Sequence, residues 1–174
     1  GLRQPWVRRV VEALASDGSA PMVGASREGA EAVAGAALAV IAGVRLITGC
    51  ATRQDSVRLG LEALAANAPD YVLIHDAARP TLPRTVIDRL IAAFDPERGA
   101  LVVVPTIDGR RGNPGVWARR FFHDLMALHG HTGARHTIGG YSGAVVTLPV
   151  MGASARVHGD TPHAVPPVKP QPAP

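Results

Sequence analysis

Five apolar runs punctuate the chain: "PMVG" at 21–24, "VRLIT" at 44–48, "YVLIHD" at 71–76, "ALVVVPT" at 100–106 and "AVVTLPV" at 144–150. Each is four to seven residues long, which is strand length rather than helix length. Between them, apolar residues recur at every third or fourth position, predicting helices over Pro5–Ala15, Arg27–Ala39, Asp55–Ala66, Pro83–Phe94 and Val116–Leu128. Pro5 suits a first helical turn, and Asp55 and Ser56 offer side-chain caps ahead of "VRLGLEAL". Strand and helix in alternation predict an α/β fold: a mostly parallel sheet with helices on its faces. In such sheets ligands gather at the carboxyl ends of the strands. Beyond about Val165 the chain reads "PPVKPQPAP", which forms neither ladder nor core, so 165–174 is expected to be a disordered tail. No internal repeat occurs.

Length and composition narrow this little. A chain of 174 residues, 47% hydrophobic, fills one domain core, here placed over 1–164. No run of eighteen apolar residues occurs, and "GLRQPWVRRVVEAL" lacks the order of a signal peptide, so a cytoplasmic protein with no membrane partner is expected. A lone Cys50 rules out an internal disulfide, and His123, His129, His131 and His136 find no third ligand at zinc spacing. The net charge of +4 rests on seventeen arginines and the single Lys169, scattered rather than blocked together. That pattern suits bound phosphate better than nucleic acid, and seven Trp, Tyr and Phe residues are too few for a base-stacking platform.

Candidate chemistry concentrates in two stretches. In "YVLIHDAARP" an apolar strand ends on His75 and Asp76, followed by small Ala77 and then Arg79. A strand-tip carboxylate beside small residues offers a ligand position to a hard cation such as Mg²⁺, which needs only one or two carboxylates when phosphates supply the rest. The plainer reading of Asp76 is a turn cap, and Arg79 serves either a phosphate or a salt bridge to Asp76. The second stretch, "TGCATRQDSV" (48–57), leaves a strand, passes Gly49 and enters a helix, a seat for a nucleotide phosphate or an ordinary capped helix.

"TGCATRQDSVRLGLEAL" followed by "YVLIHDAARP" resembles the methylerythritol-phosphate cytidylyltransferases over 48–80. The resemblance implies Asp76 on Mg²⁺, the turn of Gly49, Ala51, Thr52 and Arg53 with Ser56 and Ala77 around the cytidine, and Arg79 near the acceptor. From residue 88 the chain, through "DGRRGNP" (108–114) and "GHTGAR" (130–135), is similar to the molybdenum-cofactor cytidylyltransferase group. That likeness implies Arg111 in catalysis, Arg110, Asn113 and Arg135 on the acceptor, and Asp160 of "VHGDTPHAV" as a second metal ligand; His158 and His163 stand where that group has acids. Both families share a nucleotide-diphospho-sugar-transferase-like three-layer α/β/α sandwich, both use CTP and a phosphorylated acceptor, and both include self-associating members.

Both families also open with a strand and an Ala-Ala-Gly-x-x-x-Arg loop leading to Pro-Lys. "QPWVRRVVEAL" resembles the helix after that loop, so the expected domain lacks the first strand, the loop and its lysine. "MVGASREGAEAV", with Gly24, Ser26, Arg27 and Gly29, is either a substitute loop or the second strand and its connection. Three readings stay open: an active cytidylyltransferase, an inactive domain of the same fold serving binding or assembly, and an incomplete or spliced chain.

Overall fold

The computed structural model describes residues 6–15, 21–26, 28–39, 41–48, 52–77, 79, 83–129 and 135–151. Helix α1 (Trp6–Leu14) precedes strand β1 (Met22–Ser26), helix α2 (Glu31–Leu38) and strand β2 (Val44–Thr48). β1 and β2 pair in parallel, Met22 opposite Val44. Gly24 and Ser26 therefore belong to a strand and Gly29, at φ 82°, to the turn before α2, so of the two readings of "MVGASREG" the strand and its connection is the one observed. Arg27 lies outside the described residues, and the helix predicted from it starts at Glu31.

Helix α3 (Arg53–Leu64) follows. Its N-cap is Thr52, whose hydroxyl oxygen accepts from the Asp55 amide at 3.2 Å, while the Ser56 hydroxyl donates back to the Thr52 carbonyl. The cap expected from Asp55 and Ser56 thus sits a turn earlier, because Thr52 is the residue with extended backbone that can turn its side chain onto the orphan amides. Strand β3 (Tyr71–Ile74) ends just before His75 and Asp76, and helix α4 (Arg84–Ala92) leads to strand β4 (Val102–Ile107).

After β4 the chain departs from expectation. Asp108 and Gly109, at φ 50° and 74°, form a two-residue hairpin turn into strand β5 (Arg110–Arg111), and the arm continues as strand β6 (Gly115–Ala118). The helix predicted over Val116–Leu128 is therefore wrong in its first third. "GVWA" is a fully buried strand between β3 and β4, antiparallel to both, and only Phe122–Met126 form helix α5, after a 3₁₀ turn at Arg119–Phe121. The backbone groups of β3 and β4 both need partners on this side, and an apolar segment arriving straight from a hairpin supplies them. Helix α6 (Arg135–Gly139) and strand β7 (Val145–Pro149) complete the order, with β7 parallel to β4. β3, β4 and β7 run in one direction and only β5 and β6 oppose them, so the α/β class with a parallel-rich sheet holds.

Side chains alternate across this sheet as the two-residue period requires. Val72, Val102, Val104 and Trp117 meet Leu61 of α3, Phe121, Leu125 of α5 and Ile138 of α6 on one face. Val103 and Val116 meet Val86 and Leu90 of α4 on the other. The result is a three-layer arrangement. α3 joins the β1–β2 pair to this core, since Arg45 of β2 donates to the Ala63 carbonyl while Leu61 reaches Val72. No helix among the described residues is long and apolar enough to cross a membrane.

Candidate active site

Where β3 ends, the first turn of α3 and the returning arm of the hairpin converge around a cavity of about 300 Å³. Its polar side holds Arg53 and Gln54 from the start of α3, Asp76 and Arg79 from the segment after β3, Arg111 from β5 and Asn113 from the arm. Its inner wall is apolar: Val57, Ile74, Val104, Trp117, Leu125, Leu128 and Ile138. Among the described residues, three arginines and one carboxylate line the mouth and make it cationic, a setting for polyanions such as a phosphate chain.

His75 anchors the loop that carries Asp76. Its Nε2 lies 3.1 Å from the Arg79 carbonyl, and its Nδ1 is buried with no partner among the described residues. Nε2 is the protonated nitrogen in the neutral ring, since a carbonyl only accepts. Burial pushes the His75 pKa below 6.5; the Arg79 carbonyl and the Asp76 charge pull it up, and the charges of Arg79 and Arg53 push it further down. A histidine depressed in the fold leaves stability intact above its unfolded value and erodes it as pH falls from 6.5 toward the folded value. Urea midpoints are therefore expected to drop between pH 7.5 and pH 5.5, and the drop should shrink in His75→Gln.

Gly115, opposite Ile74 in the β3–β6 register, lets the indole of Trp117 form part of the wall. A Cβ at Gly115 would stand 2.6 Å from Trp117 Nε1 and 3.3 Å from Val104 Cγ1. Trp117 is 4% exposed and has no room to swing away. Gly115→Ala is expected to lower stability by about 1–3 kcal/mol, read as a lower denaturation midpoint.

Of the residues singled out from sequence, the cavity brings together Arg53, Asp76, Arg79, Arg111 and Asn113. Thr52 and Ser56 lie at the same helix start but are engaged in its cap, Ala77 is exposed beside Asp76, and Arg110 is exposed on β5 away from the lining. Arg135 opens α6. Gly49, Ala51 and Asp160 lie outside the described residues, as do Cys50, His131, Lys169 and the tail at 165–174. Sequence reasoning missed the inner wall. Gln54, 8% exposed, follows Arg53 directly, and Trp117 was hidden by reading β6 as helix. The "DG" pair at 108–109 was the available signal, because Asp-Gly between apolar runs marks a hairpin and hence a returning strand.

Comparison with known proteins agrees with this geometry. The family model for IspD, 2-C-methyl-D-erythritol 4-phosphate cytidylyltransferase, matches residues 2–116. The bifunctional enzyme IspD/IspF of Novosphingobium aromaticivorans is 51% identical over 105 residues, 60% of this chain and 27% of that protein. The chain thus spans about a quarter of the length of such curated relatives. Among solved structures, Rv0371c of Mycobacterium tuberculosis H37Rv, in complex with manganese, superposes with a TM-score of 0.70 at 18% identity, covering 85% of this chain and 77% of that one. The 4-diphosphocytidyl-2C-methyl-D-erythritol synthase of Anaerococcus prevotii superposes with a TM-score of 0.68 at 17% identity, covering 89% and 84%. These likenesses carry the fold, and the family match extends past residue 88, where the resemblance to the molybdenum-cofactor group begins, to the strand bearing Val116. The chain belongs to the IspD family, that of 2-C-methyl-D-erythritol 4-phosphate cytidylyltransferase.

Proposed function

We propose that the chain catalyses CTP-dependent transfer of a cytidylyl group to a phosphate-bearing acceptor. The observation that carries this reading is the convergence of Arg53, Arg79 and Arg111 on the cavity that Asp76 also lines, in a member of a cytidylyltransferase family. In the reaction an acceptor phosphate oxygen attacks the α-phosphorus of CTP, the bond to the bridging oxygen of the β-phosphate breaks, and pyrophosphate leaves. Negative charge accumulates on the α-phosphate and on the departing pyrophosphate. Guanidinium groups gathered at the cavity neutralise it. Arg53 and Arg79 serve the triphosphate, with Thr52, Ser56, Gly49, Ala51 and Ala77 around the nucleoside. Arg111 faces the reacting phosphates, and Arg110 and Arg135 serve the acceptor.

A divalent cation fits Asp76 in one way only. Among the described residues no group of three or more His, Cys, Asp or Glu could hold a metal ion, so Asp76 would supply one oxygen, a second carboxylate another, and the nucleotide phosphates and water the rest. Mg²⁺ is commonly held in that manner, and its role when bound is to draw charge from the phosphoryl oxygens. Asp160 is the second carboxylate in this proposal. Methylerythritol phosphate is the favoured acceptor, since the family match covers the whole first resembled segment and continues into the second as far as residue 116, with a molybdopterin-type phosphate as the competing one. A cytoplasmic location and self-association belong to the same proposal.

A second reading, a binding module without transfer, is favoured by one feature: among the described residues, every cation lining the cavity is an arginine. Calorimetric titration with CTP and Mg²⁺ tests what the two readings share. Saturable binding that weakens in Arg79→Ala is expected, and a flat titration would overturn both.

A further inference from the structure

Asn113 stands on a bulge. Thr106 of β4 faces Arg111, whereas Val103 faces Val116, so five steps on the returning arm (111 to 116) span three steps on β4 (103 to 106). Two surplus residues are pushed out of the ladder, and the Gly112 amide closes the base of the bulge by donating to the Pro105 carbonyl at 2.8 Å. Bulges of this kind re-aim a side chain that regular pairing would point to one face of the sheet. Here the side chain re-aimed is Asn113. With its amide turned so that both ends are satisfied, Nδ2 donates to the Ile74 carbonyl at 3.2 Å and Oδ1 accepts from Arg53 Nη2 at 2.9 Å.

Those two bonds link the three elements that build the mouth of the cavity. Ile74 is the last residue of β3, two before Asp76; Arg53 is the first residue of α3; Asn113 belongs to the hairpin arm. Arg53 is an exposed side chain with several rotatable bonds, and its guanidinium would otherwise range over solvent. One of its terminal nitrogens is held by Asn113, which leaves the other edge of the fork available to a phosphate. An amide already shared between a carbonyl and a guanidinium is poorly placed to recognise an acceptor, because turning toward a ligand breaks the bond to Arg53.

We infer that Asn113 is a positioning residue: it holds the Arg53 guanidinium against the tip of β3, so that its contribution to polyphosphate binding is made entirely through Arg53. The inference rests on the cytidylyl-transfer reading and reassigns Asn113 from the acceptor side, where sequence resemblance put it, to the triphosphate side.

A double-mutant cycle on this chain tests it, with the dissociation constants of CTP and of inorganic pyrophosphate as readouts, each with Mg²⁺. Asn113→Ala is expected to weaken both about tenfold and Arg53→Ala somewhat more. The double variant should match Arg53→Ala within about twofold, since with Arg53 gone Asn113 has nothing left to position. A purely structural role would show instead as a lower melting temperature with multiplying losses. Should Asn113→Ala fail to fold, Asn113→Ser, too short to hold both partners, enters the same cycle. Losses that multiply, or an effect of Asn113→Ala on the acceptor KM alone, would overturn the inference and leave the function standing. Failure of the unaltered chain to bind either CTP or pyrophosphate would overturn both.

Discussion

Asp76→Ala is expected to slow cytidylyl transfer by about 10²–10³-fold while leaving the fold in place. Among the described residues lining the cavity Asp76 is the only carboxylate, so its removal takes away an anionic anchor for a divalent cation that sits among three arginines. Its backbone role survives the substitution, because the turn is closed by the Arg79 amide donating to the Asp76 main-chain carbonyl at 3.0 Å. The side chain is only half-buried. Any change in unfolding free energy is expected to be small beside the kinetic loss. Because the Asp76 charge raises the His75 pKa, the variant should also hold His75 neutral to still lower pH, visible in the ring-proton titration by NMR. Asp76→Asn should not recover the lost rate, since a neutral amide replaces neither the charge nor the ligand. A loss confined to stability, with transfer intact in the folded fraction, would remove Asp76 from the site.

The largest effect on stability is expected from Phe121→Ala. Phe121 is 1% exposed and holds the junction between β6 and α5. Its ring meets Trp117 nearly edge-on at 6.3 Å and Tyr141 at 5.2 Å, and the Arg120 guanidinium lies 5.1 Å from its centre. Deleting a ring from such a place costs the transfer free energy of the lost surface and leaves a cavity the neighbours fill only in part, together about 3–5 kcal/mol. Against total stabilities of about 5–15 kcal/mol, that is enough to unfold much of the protein at moderate temperature. Trp117 loses its support at the same time, so CTP binding should weaken in whatever fraction stays folded. Phe121→Leu should fall between the two in a denaturation series. A Phe121→Ala midpoint equal to the wild type would mean that the face of the sheet carrying α3, α5 and α6 is not the main core.

How far the sequence alone reached depends on how local each feature is. β2 spans Val44–Thr48 as its apolar run indicated, and β3 starts at Tyr71 as expected. Both are short apolar strands bounded by turns, the case where period and length agree. β6 failed because four buried residues before an amphipathic stretch look like the first turn of a helix; only the pairing needs of β3, about 40 residues upstream, and of β4, one hairpin away, decide the matter. The site shows the same division. Asp76 and Arg79 could be read off "HDAARP" because a strand tip exposes consecutive residues at one end of a sheet. The inner wall of Val57, Val104, Trp117, Leu125 and Ile138 comes from five separate elements, and no spacing within the chain encodes it. The bridge from Asn113 to Arg53 depends on a two-residue bulge, a feature of register between strands and so invisible along either one.

The most direct test of the central claim is pyrophosphate release from CTP by this chain, followed in the presence and absence of methylerythritol phosphate and of Mg²⁺. The account predicts release that requires CTP, the phosphorylated acceptor and the cation together, and that falls about 10²–10³-fold in Asp76→Ala. A folded chain that binds CTP yet releases no pyrophosphate with either methylerythritol phosphate or a molybdopterin-type phosphate would contradict it.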